Sequence, residues 1–419
     1  MITIRLYTAL AALCLFAACN NSGTKTSSTS TPRSGNWELK FDVGDGVEIP
    51  VRLNVDSMGK WSLKNWTETI PLDDVVWNED SFHVMMPYFH TALHGRMEGD
   101  STMSGKWFDY TRSGNYSLTF SGSIPEAMSS YDRSKERNFP NTFEVTFSPD
   151  SAENRYNAVG IFTTEENRLF GTFLTETGDY RYLQGAIKSE SESPDIDDLH
   201  LSCFDGTHLF LFTGKLHHEQ GTIRDGMFYS GSHHKEPWSG VVNAHASLRH
   251  PDSLTFMKPE FTDFSFDVKN MNADSVHFDK KNFEGKVCLV QILGTWCPNC
   301  TDESLWLKSL YEKYQGRGIE IIPVAFERGD NERALMQNVQ RQFAQLKIPY
   351  EPYLGGDKSN SQEVFPMLNH VMSYPTLIIL DKKGMVRKIH TGFYGPGTGT
   401  YFNTFSERLE MFVEQLLDE

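Results

Sequence analysis

The feature that most constrains this chain is an apolar strand pattern that runs directly into a Cys-x-x-Cys motif and then into a helical pattern. Val287–Leu293 is apolar except for Gln291, which is typical of a central strand covered on both faces. Cys297-Pro298-Asn299-Cys300 follows, and Asp302–Tyr314 has helical periodicity. This order predicts an α/β domain in which Cys297 lies at the N-terminus of a helix.

The residue types of this motif suit thiol–disulfide chemistry. The unsatisfied N–H groups and the positive dipole end of the helix favour the thiolate of Cys297, which is the form that attacks a disulfide. Pro298 fits the first helical turn, and Cys300 is close enough to close a disulfide and resolve a mixed one. We predict Cys297 as the exposed attacking sulfur and Cys300 as the more buried resolving sulfur.

Zinc sites also use CxxC pairs, but they need two further Cys or His ligands at comparable spacing. Cys288 lies inside the apolar strand, and the single histidines of this region form no second chelating pair. The pairs His217-His218 and His233-His234 lie in a strand-rich region, where adjacent side chains point to opposite faces. No metal site is predicted.

Strand and helix patterns alternate from a boundary near 251–258 onward, so residues 251–419 are predicted to form one domain. Its further predicted strands are Phe261–Phe266, Ser275–Phe278, Ile319–Phe326, Pro375–Leu380 and Met385–His390, and its further predicted helices are Ala334–Leu346, Gln362–Leu368 and Phe402–Leu417.

Residues from about 255 to 419 resemble the thioredoxin-like disulfide reductases of the TlpA/ResA type. The resemblance is carried by Gly294-Thr295-Trp296-Cys297-Pro298-Asn299-Cys300, by Glu303, by Tyr374-Pro375-Thr376 and by the Asp381–Gly384 hairpin. It implies an α/β thioredoxin-like fold that acts on protein disulfides or thiols without a cofactor and is recycled by a redox donor protein. The family also implies a reductive role, although Pro-Asn between the cysteines does not fix the direction of electron flow.

The resemblance also implies roles for single residues. Cys297, Cys300 and Glu303 would be catalytic, with Glu303 tuning the cysteine pKa values and exchanging a proton with Cys300. Trp296, Tyr374 and Pro375 would contact the substrate, Pro375 through a cis bond. Thioredoxins proper have an acidic residue six positions before the first Cys; here Gln291 stands there and does not ionise.

Two alternatives stay open beside this interpretation. Peroxiredoxins need Thr or Ser three residues before the reactive Cys and Pro four residues earlier, where this chain has Gly294 and Val290. The second alternative is a ligand- or partner-binding lipoprotein whose β domain does the main work and whose redox domain is subsidiary.

Residues 36–250 predict an all-β domain that matches no family we recognise. Short alternating stretches are bounded by turn residues. Glycine recurs inside apolar strands, which is typical of strongly bent strands in a barrel-like antiparallel meander. Gly95, Gly105 and Gly122 have counterparts about 120 residues later (Gly214, Gly226 and Gly240), which indicates two related β units or two halves of one lipocalin-like barrel. Cys203 is interpreted as a buried small hydrophobe, and Pro125–Arg137 as the best candidate for a loop or helical excursion.

The N-terminus predicts export and lipid anchoring. Residues 1–18 read as a signal peptide, with Arg5 before an apolar run. Phe16-Ala17-Ala18-Cys19 resembles a bacterial lipobox, in which Cys19 would carry the lipid. Residues 19–35 form a Ser/Thr-rich tether. The predicted location is the periplasmic side of the bacterial cell envelope. The formal net charge of −16 and the lack of a basic cluster argue against nucleic acid as a partner.

Overall fold

A computed structural model describes residues 31–112, 114–125, 139–166, 168–189, 193 and 195–419. The predicted signal peptide, the lipidated Cys19, the tether up to residue 30 and the predicted excursion at 126–137 lie outside this range. Among the described helices, none combines the length and the apolar character that a membrane span requires.

The first β unit is one antiparallel sheet of nine strands in the order β4-β3-β2-β1-β9-β8-β7-β6-β5. Buried and exposed residues alternate along its strands, as they do in β2, so the apolar side chains gather on one face of the sheet and form its core. Its strands are β1 (Gly35–Asp42), β2 (Glu48–Val55), β3 (Trp61–Asn65), β4 (Glu68–Leu72), β5 (Val75–Asn78), β6 (Ser81–Met85), β7 (Thr91–Met97), β8 (Thr102–Asp109) and β9 (Ser117–Ser123).

The second β unit is a closed barrel. Its order is β11-β10-β18-β17-β16-β15-β14-β12-β13, and a further pairing of β11 with β12 closes the ring. Closure leaves no long free edge. Its strands are β10 (Thr142–Phe147), β11 (Tyr156–Glu165), β12 (Arg168–Thr175), β13 (Gly178–Asp179), β14 (Leu183–Ser189), β15 (Ile196–Phe204), β16 (Leu209–His217), β17 (Thr222–Ser230) and β18 (His234–Val242).

The two units are joined by a shared apolar layer. Phe204, Leu209 and Leu211 of the barrel belong to the same buried cluster as Trp37 and Phe41 of the first sheet. The barrel interior is a separate aromatic core. Of the two predicted arrangements, the structure therefore contains two β units rather than two halves of one barrel.

The recurring glycines lie where neighbouring strands come closest. Gly95 faces Gly105 across β7 and β8, and a Cβ on Gly105 would lie 2.2 Å from the His94 carbonyl oxygen. The later set, Gly214, Gly226 and Gly240, lies on β16, β17 and β18, which like β7, β8 and β9 are three successive neighbours whose last strand pairs with the first strand of its unit.

The C-terminal domain is a seven-stranded mixed sheet in the order β20-β19-β23-β22-β21-β24-β25. β21 pairs in parallel with β22 and antiparallel with β24. Alternate residues of β21 enter two different cores, one of which is covered by α2 and α5. The elements are β19 (Phe266–Lys269), β20 (Ser275–Phe278), α1 (Lys280–Phe283), β21 (Val287–Leu293), α2 (Pro298–Tyr314), β22 (Ile319–Glu327), α3 (Glu332–Leu346), β23 (Tyr353–Asp357), α4 (Ser361–Val364), β24 (Thr376–Leu380), β25 (Val386–Thr391) and α5 (Thr400–Asp418).

Three predictions for this domain were wrong in detail. The predicted strand Phe261–Phe266 begins only at Phe266, because residues 261–265 form an irregular approach to the sheet. The predicted helix Gln362–Leu368 is a single turn, Ser361–Val364, which ends before Pro366. The strand Tyr353–Asp357 was missed, since Gly355 and Gly356 give it no alternating pattern.

Candidate active site

The two motif cysteines lie at the start of α2, directly after β21. Cys297 is the N-cap of this helix, and its Sγ accepts a hydrogen bond from the N–H of Cys300 at 3.2 Å. Pro298 occupies the first helical position, where a backbone N–H would have no partner within the helix, so its absence costs no hydrogen bond. The two sulfurs form a disulfide with the Cα atoms 5.3 Å apart. After reduction, the same N–H and the helix dipole would stabilise a thiolate on Cys297.

The predicted substrate-contact residues surround Cys297. Its Sγ lies 3.3 Å from the carbonyl oxygen of Tyr374, and the Tyr374–Pro375 peptide bond is cis. The Trp296 ring packs against that of Tyr374 with centroids 5.3 Å apart, and its Nε1–H donates to the carbonyl of Phe326 at 3.0 Å. The structure thus brings Trp296, Tyr374 and Pro375 together beside the sulfur of Cys297.

Glu303 lies one turn along α2 from Cys300 and is fully buried. Its Oε2 accepts a hydrogen bond from the Gln291 amide at 2.9 Å, and the same amide lies 3.4 Å from the Cys300 carbonyl oxygen. Oε1 of Glu303 has no hydrogen-bond partner among the described residues. Burial raises the pKa of Glu303 to about 8, against the lowering effect of the Gln291 bond. With this pKa the carboxyl is mostly protonated at neutral pH and loses its proton at slightly higher pH.

A second buried carboxylate, Glu327, holds the loop in front of the cysteines. It accepts from the Thr295 N–H at 2.7 Å and from the Thr295 hydroxyl at 2.6 Å. Burial raises its pKa, and the two Thr295 bonds oppose the rise. Sequence reasoning missed this clamp, because Glu327 ends β22 and its partner lies 32 residues earlier.

The β region also contributes to the site, which no local motif indicated. A stretch that we call the cover segment, residues 175–181, lies across the cysteine loop and the Tyr374 loop. The Ser373 hydroxyl donates to the Thr177 carbonyl at 2.8 Å, and the Asn299 amide donates to the Asp179 carbonyl at 3.2 Å. Gly178 has φ +142°, and a Cβ there would lie 2.3 Å from Nδ2 of Asn299, so the close approach requires glycine.

The cover segment explains an error in the predicted exposure of the cysteines. Cys297 is 6% exposed and Cys300 is 1% exposed. The order is as predicted, but Cys297 is itself buried, because the cover segment roofs a cavity of about 230 Å³ above it. The cavity at Cys297 is thus lined by residues of both the β region and the C-terminal domain.

Arg181 fixes the cover segment to the cysteine helix. Its guanidinium pairs with Asp302 of α2 and, at 2.8 Å, with Glu68 of the first β unit. It also lies 4.0 Å from Asp205. Arg181 is 7% exposed, so these pairs are shielded from water. This single side chain links both β units to the residue two positions after Cys300.

The other described cysteines, Cys203 of the barrel and Cys288 of β21, are free and buried. Burial raises the pKa of Cys203 well above its usual value and that of Cys288 to about 12. Such thiols are poor nucleophiles near neutral pH. Within the described ranges no cluster of three His, Cys, Asp or Glu side chains has the arrangement of a metal site.

Comparisons with known proteins converge on the C-terminal domain. The model of the AhpC/TSA family matches residues 259–389. The chain is 32% identical over 106 residues to the thiol-disulfide oxidoreductase ResA of Bacillus thuringiensis subsp. konkukian (strain 97-27). The aligned residues make up 25% of this chain and 55% of that protein. It is 27% identical over 127 residues to the thioredoxin-like protein YneN of Bacillus subtilis (strain 168), which covers 30% and 68%. The chain thus spans about half the length of the ResA proteins it matches.

Among solved structures, the putative thiol:disulfide interchange protein DsbE from Chlorobium tepidum is similar with a TM-score of 0.29 and 19% identity, over 41% of this chain and 99% of that one.

The strand order and the position of the cysteines define a thioredoxin-like domain attached to an antiparallel β region, so the predicted fold class is confirmed. Within that class, the comparisons support a thioredoxin-like domain of the TlpA/ResA type, in agreement with the sequence resemblance.

Proposed function

We propose that this protein is an exported thiol–disulfide oxidoreductase that reduces disulfides of other proteins through Cys297 and Cys300. The observation that carries the proposal is the placement of Cys297 as N-cap of α2, with its sulfur beside the Tyr374 carbonyl. The helix terminus stabilises the thiolate. The Tyr374 carbonyl beside it would offer a backbone hydrogen-bond acceptor to an extended substrate chain.

The proposed reaction transfers two electrons from the protein dithiol to the substrate. The Cys297 thiolate attacks one substrate sulfur, the substrate disulfide breaks, and the released substrate thiolate takes up a proton. Cys300 then attacks the Cys297 sulfur of the mixed disulfide and releases the second substrate thiol. The Cys297–Cys300 disulfide that remains is reduced again by a dithiol donor protein.

In this proposal Glu303 manages the proton of Cys300. Its pKa of about 8 lies near the pKa of a thiol, which suits proton exchange with Cys300 during resolution. Gln291 lies between the Glu303 carboxyl and the Cys300 carbonyl and so holds the carboxyl beside this turn of the helix. Trp296, Tyr374 and Pro375 form the substrate-facing surface.

The proposed location is the periplasmic side of the bacterial cell envelope, with the body (residues 36–250 and 251–419) attached through a lipid on Cys19. The support is the signal-peptide pattern and the Phe16-Ala17-Ala18-Cys19 sequence. An oxidising compartment of this kind is where selected protein cysteines need a dedicated reductant.

The alternative in which the β region binds a ligand inside a barrel has weaker support. Phe147, Phe173, Phe212, Phe228 and Trp238 meet inside the barrel at ring distances between 4.4 and 6.4 Å. Such packing fills the interior. Binding by the β region is better supported on its surface, where it faces Cys297.

Mixed-disulfide trapping tests the proposal. In the Cys300→Ser variant, Cys297 attacks a protein disulfide but nothing resolves the product, so a covalent complex should accumulate that dithiothreitol dissolves. The matched Cys297→Ser variant should accumulate much less, because Cys300 is buried below it. Equal trapping by both variants, or none by either with any disulfide protein, would overturn the proposed function.

A further inference from the structure

The cavity above Cys297 opens into a larger groove between the domains. The two share Tyr180, His208 and Phe210. The groove has a volume of about 890 Å³ and is lined by residues of the first β unit, the barrel and the C-terminal domain. On the opposite side of Cys297 the cover segment closes the site, through Ser373 and Asn299. A substrate chain that reaches Cys297 therefore extends along this groove.

The floor of the groove is aromatic. Phe210, Phe228 and Tyr180 pack with ring centroids 5.1 to 5.5 Å apart. The Tyr156 and Tyr180 hydroxyls are hydrogen-bonded at 2.9 Å. Glu236, the one carboxylate among the described residues that line the groove, accepts from Tyr156 and Ser148. The Glu236 oxygens are thus already engaged.

The rim of the groove carries positive charge, although the whole chain has a formal net charge of −16. Arg112 pairs with the buried Asp109 at 2.8 Å, and Lys235 pairs with the exposed Asp45 at 2.8 Å. Arg328 differs from both: in the described part of the chain, no carboxylate lies within ion-pair distance of its guanidinium, which stacks 4.4 Å from the Trp296 ring centre. Arg328 therefore lies next to the cysteine loop without a direct ion pair to any described residue, although Asp109 and Glu327 are close enough for their charges to act on it.

Titration behaviour agrees with a positive field at this rim. Burial, together with the charges of Arg112, His208, His234 and Arg328, lowers the pKa of His233 to about 4. Burial and the charge of Arg112 lower the pKa of Arg328, against the opposing charges of Asp109 and Glu327. A bound carboxylate would relieve this repulsion between like charges.

We propose that the interdomain groove binds an extended, acidic segment of the substrate protein, with a carboxylate close to the substrate cysteine paired to Arg328. The proposal rests on the proposed function, since it names the substrate class of that same site. It makes the β region a substrate-selecting element. Arg pairs with carboxylates bidentately, and the aromatic floor accommodates apolar residues that alternate with acidic ones in an extended chain.

The test compares three disulfide peptides of equal length that carry Glu, Gln or Lys beside one cysteine. Their reduction by the prereduced full chain is followed in single-turnover experiments. We expect the Glu peptide to react about tenfold faster than the Lys peptide, the size of effect that one charge-assisted hydrogen bond gives. In Arg328→Gln this ratio should fall towards one, and in Arg328→Glu it should invert. Arg333→Gln, an equal charge change at an exposed site of α3, should keep the wild-type ratio.

A binding measurement separates this proposal from the proposed function. The same peptides with Ser in place of Cys are titrated into the oxidised full chain and followed by fluorescence anisotropy. If the Glu peptide binds more tightly than the Lys peptide and Arg328→Gln abolishes the difference, the groove proposal is supported. This holds even if the protein reduces none of the peptides and no glutathione disulfide, a result that would overturn the proposed function alone. Equal binding and equal rates for the Glu and Lys peptides overturn the groove proposal alone. Circular dichroism of each variant checks that the fold is kept.

Discussion

The buried carboxyl of Glu303 makes the oxidised protein less stable as pH rises. In the unfolded chain this group ionises near the usual glutamate pKa of 4.5, but in the folded protein burial raises its pKa to about 8. Between these values the unfolded state has lost the proton and the folded state keeps it. The free energy of unfolding then falls with pH at ~1.4 kcal/mol per pH unit. The contribution is fully present below pH 4.5 and lost above about pH 8.

The size of this effect follows from the difference between the two pKa values. A rise from 4.5 to about 8 corresponds to at most roughly 5 kcal/mol. In Glu303→Gln the new side chain has nearly the shape of glutamate but cannot ionise. Its NH₂ group would take the place of Oε1, the oxygen without a hydrogen-bond partner among the described residues. We therefore predict that this variant loses less stability than the wild type when the pH rises from 5 to 9.

The assay is urea unfolding of the oxidised proteins at pH 5 and pH 9. The wild-type-minus-variant difference cancels the titration of all other groups. Glu312→Gln serves as the matched control, because Glu312 lies on the exposed face of the same helix; it should track the wild type at both pH values. If the Glu303 variant and the wild type lose equal stability between the two pH values, Glu303 is ionised like an exposed carboxyl and its proposed proton-transfer role loses its basis.

Three further predictions concern the interface, the sheets and the remaining thiols. Arg181→Leu should lower the free energy of unfolding by ~3–5 kcal/mol, because it leaves the buried Asp205 and the partly buried Glu68 and Asp302 without their cation; urea unfolding checks this against the exposed Arg224→Leu, and equal stability of the two would contradict this charge cluster. Gly105→Ala should destabilise by ~2 kcal/mol or more, since its Cβ would meet the backbone of β7 at 2.2 Å, whereas Gly316→Ala, with open space around it, should stay near neutral in the same thermal melts. In the reduced native protein at pH 8, iodoacetamide should modify Cys297 while Cys203 and Cys288 react only after unfolding, because burial raises the pKa of both thiols; early labelling of either by mass spectrometry would contradict their burial.

The sequence predicted what depends on short stretches of chain. The strand Val287–Leu293 was predicted with its observed bounds, because a short, continuous apolar run before a CxxC motif is typical of a buried central strand. The alternating stretches of the β region predicted strands but not how they divide between a sheet and a barrel, since strand pairing depends on contacts across the whole unit.

The site was predictable only in part for the same reason. Cys297, Cys300 and Glu303 follow from one motif, whereas Arg181 reaches Asp302 from 121 residues away. No local sequence pattern indicates that residues 175–181 lie against the cysteine loop. Gly178 is required there by its positive φ, but that φ is known only from the structure. The burial of Cys297 and the groove beside Arg328 are consequences of this docking between the domains.

The measurement that tests the central proposal most directly is the redox potential of the Cys297–Cys300 pair. The full chain is equilibrated in glutathione or dithiothreitol buffers, with Cys297→Ala and Cys300→Ala as controls. The proposal predicts a reversible two-electron couple near or below ~−250 mV, as in reducing proteins of this fold. A potential near ~−120 mV would make the protein an oxidant. The absence of any disulfide between these two cysteines at every potential would contradict the proposed function.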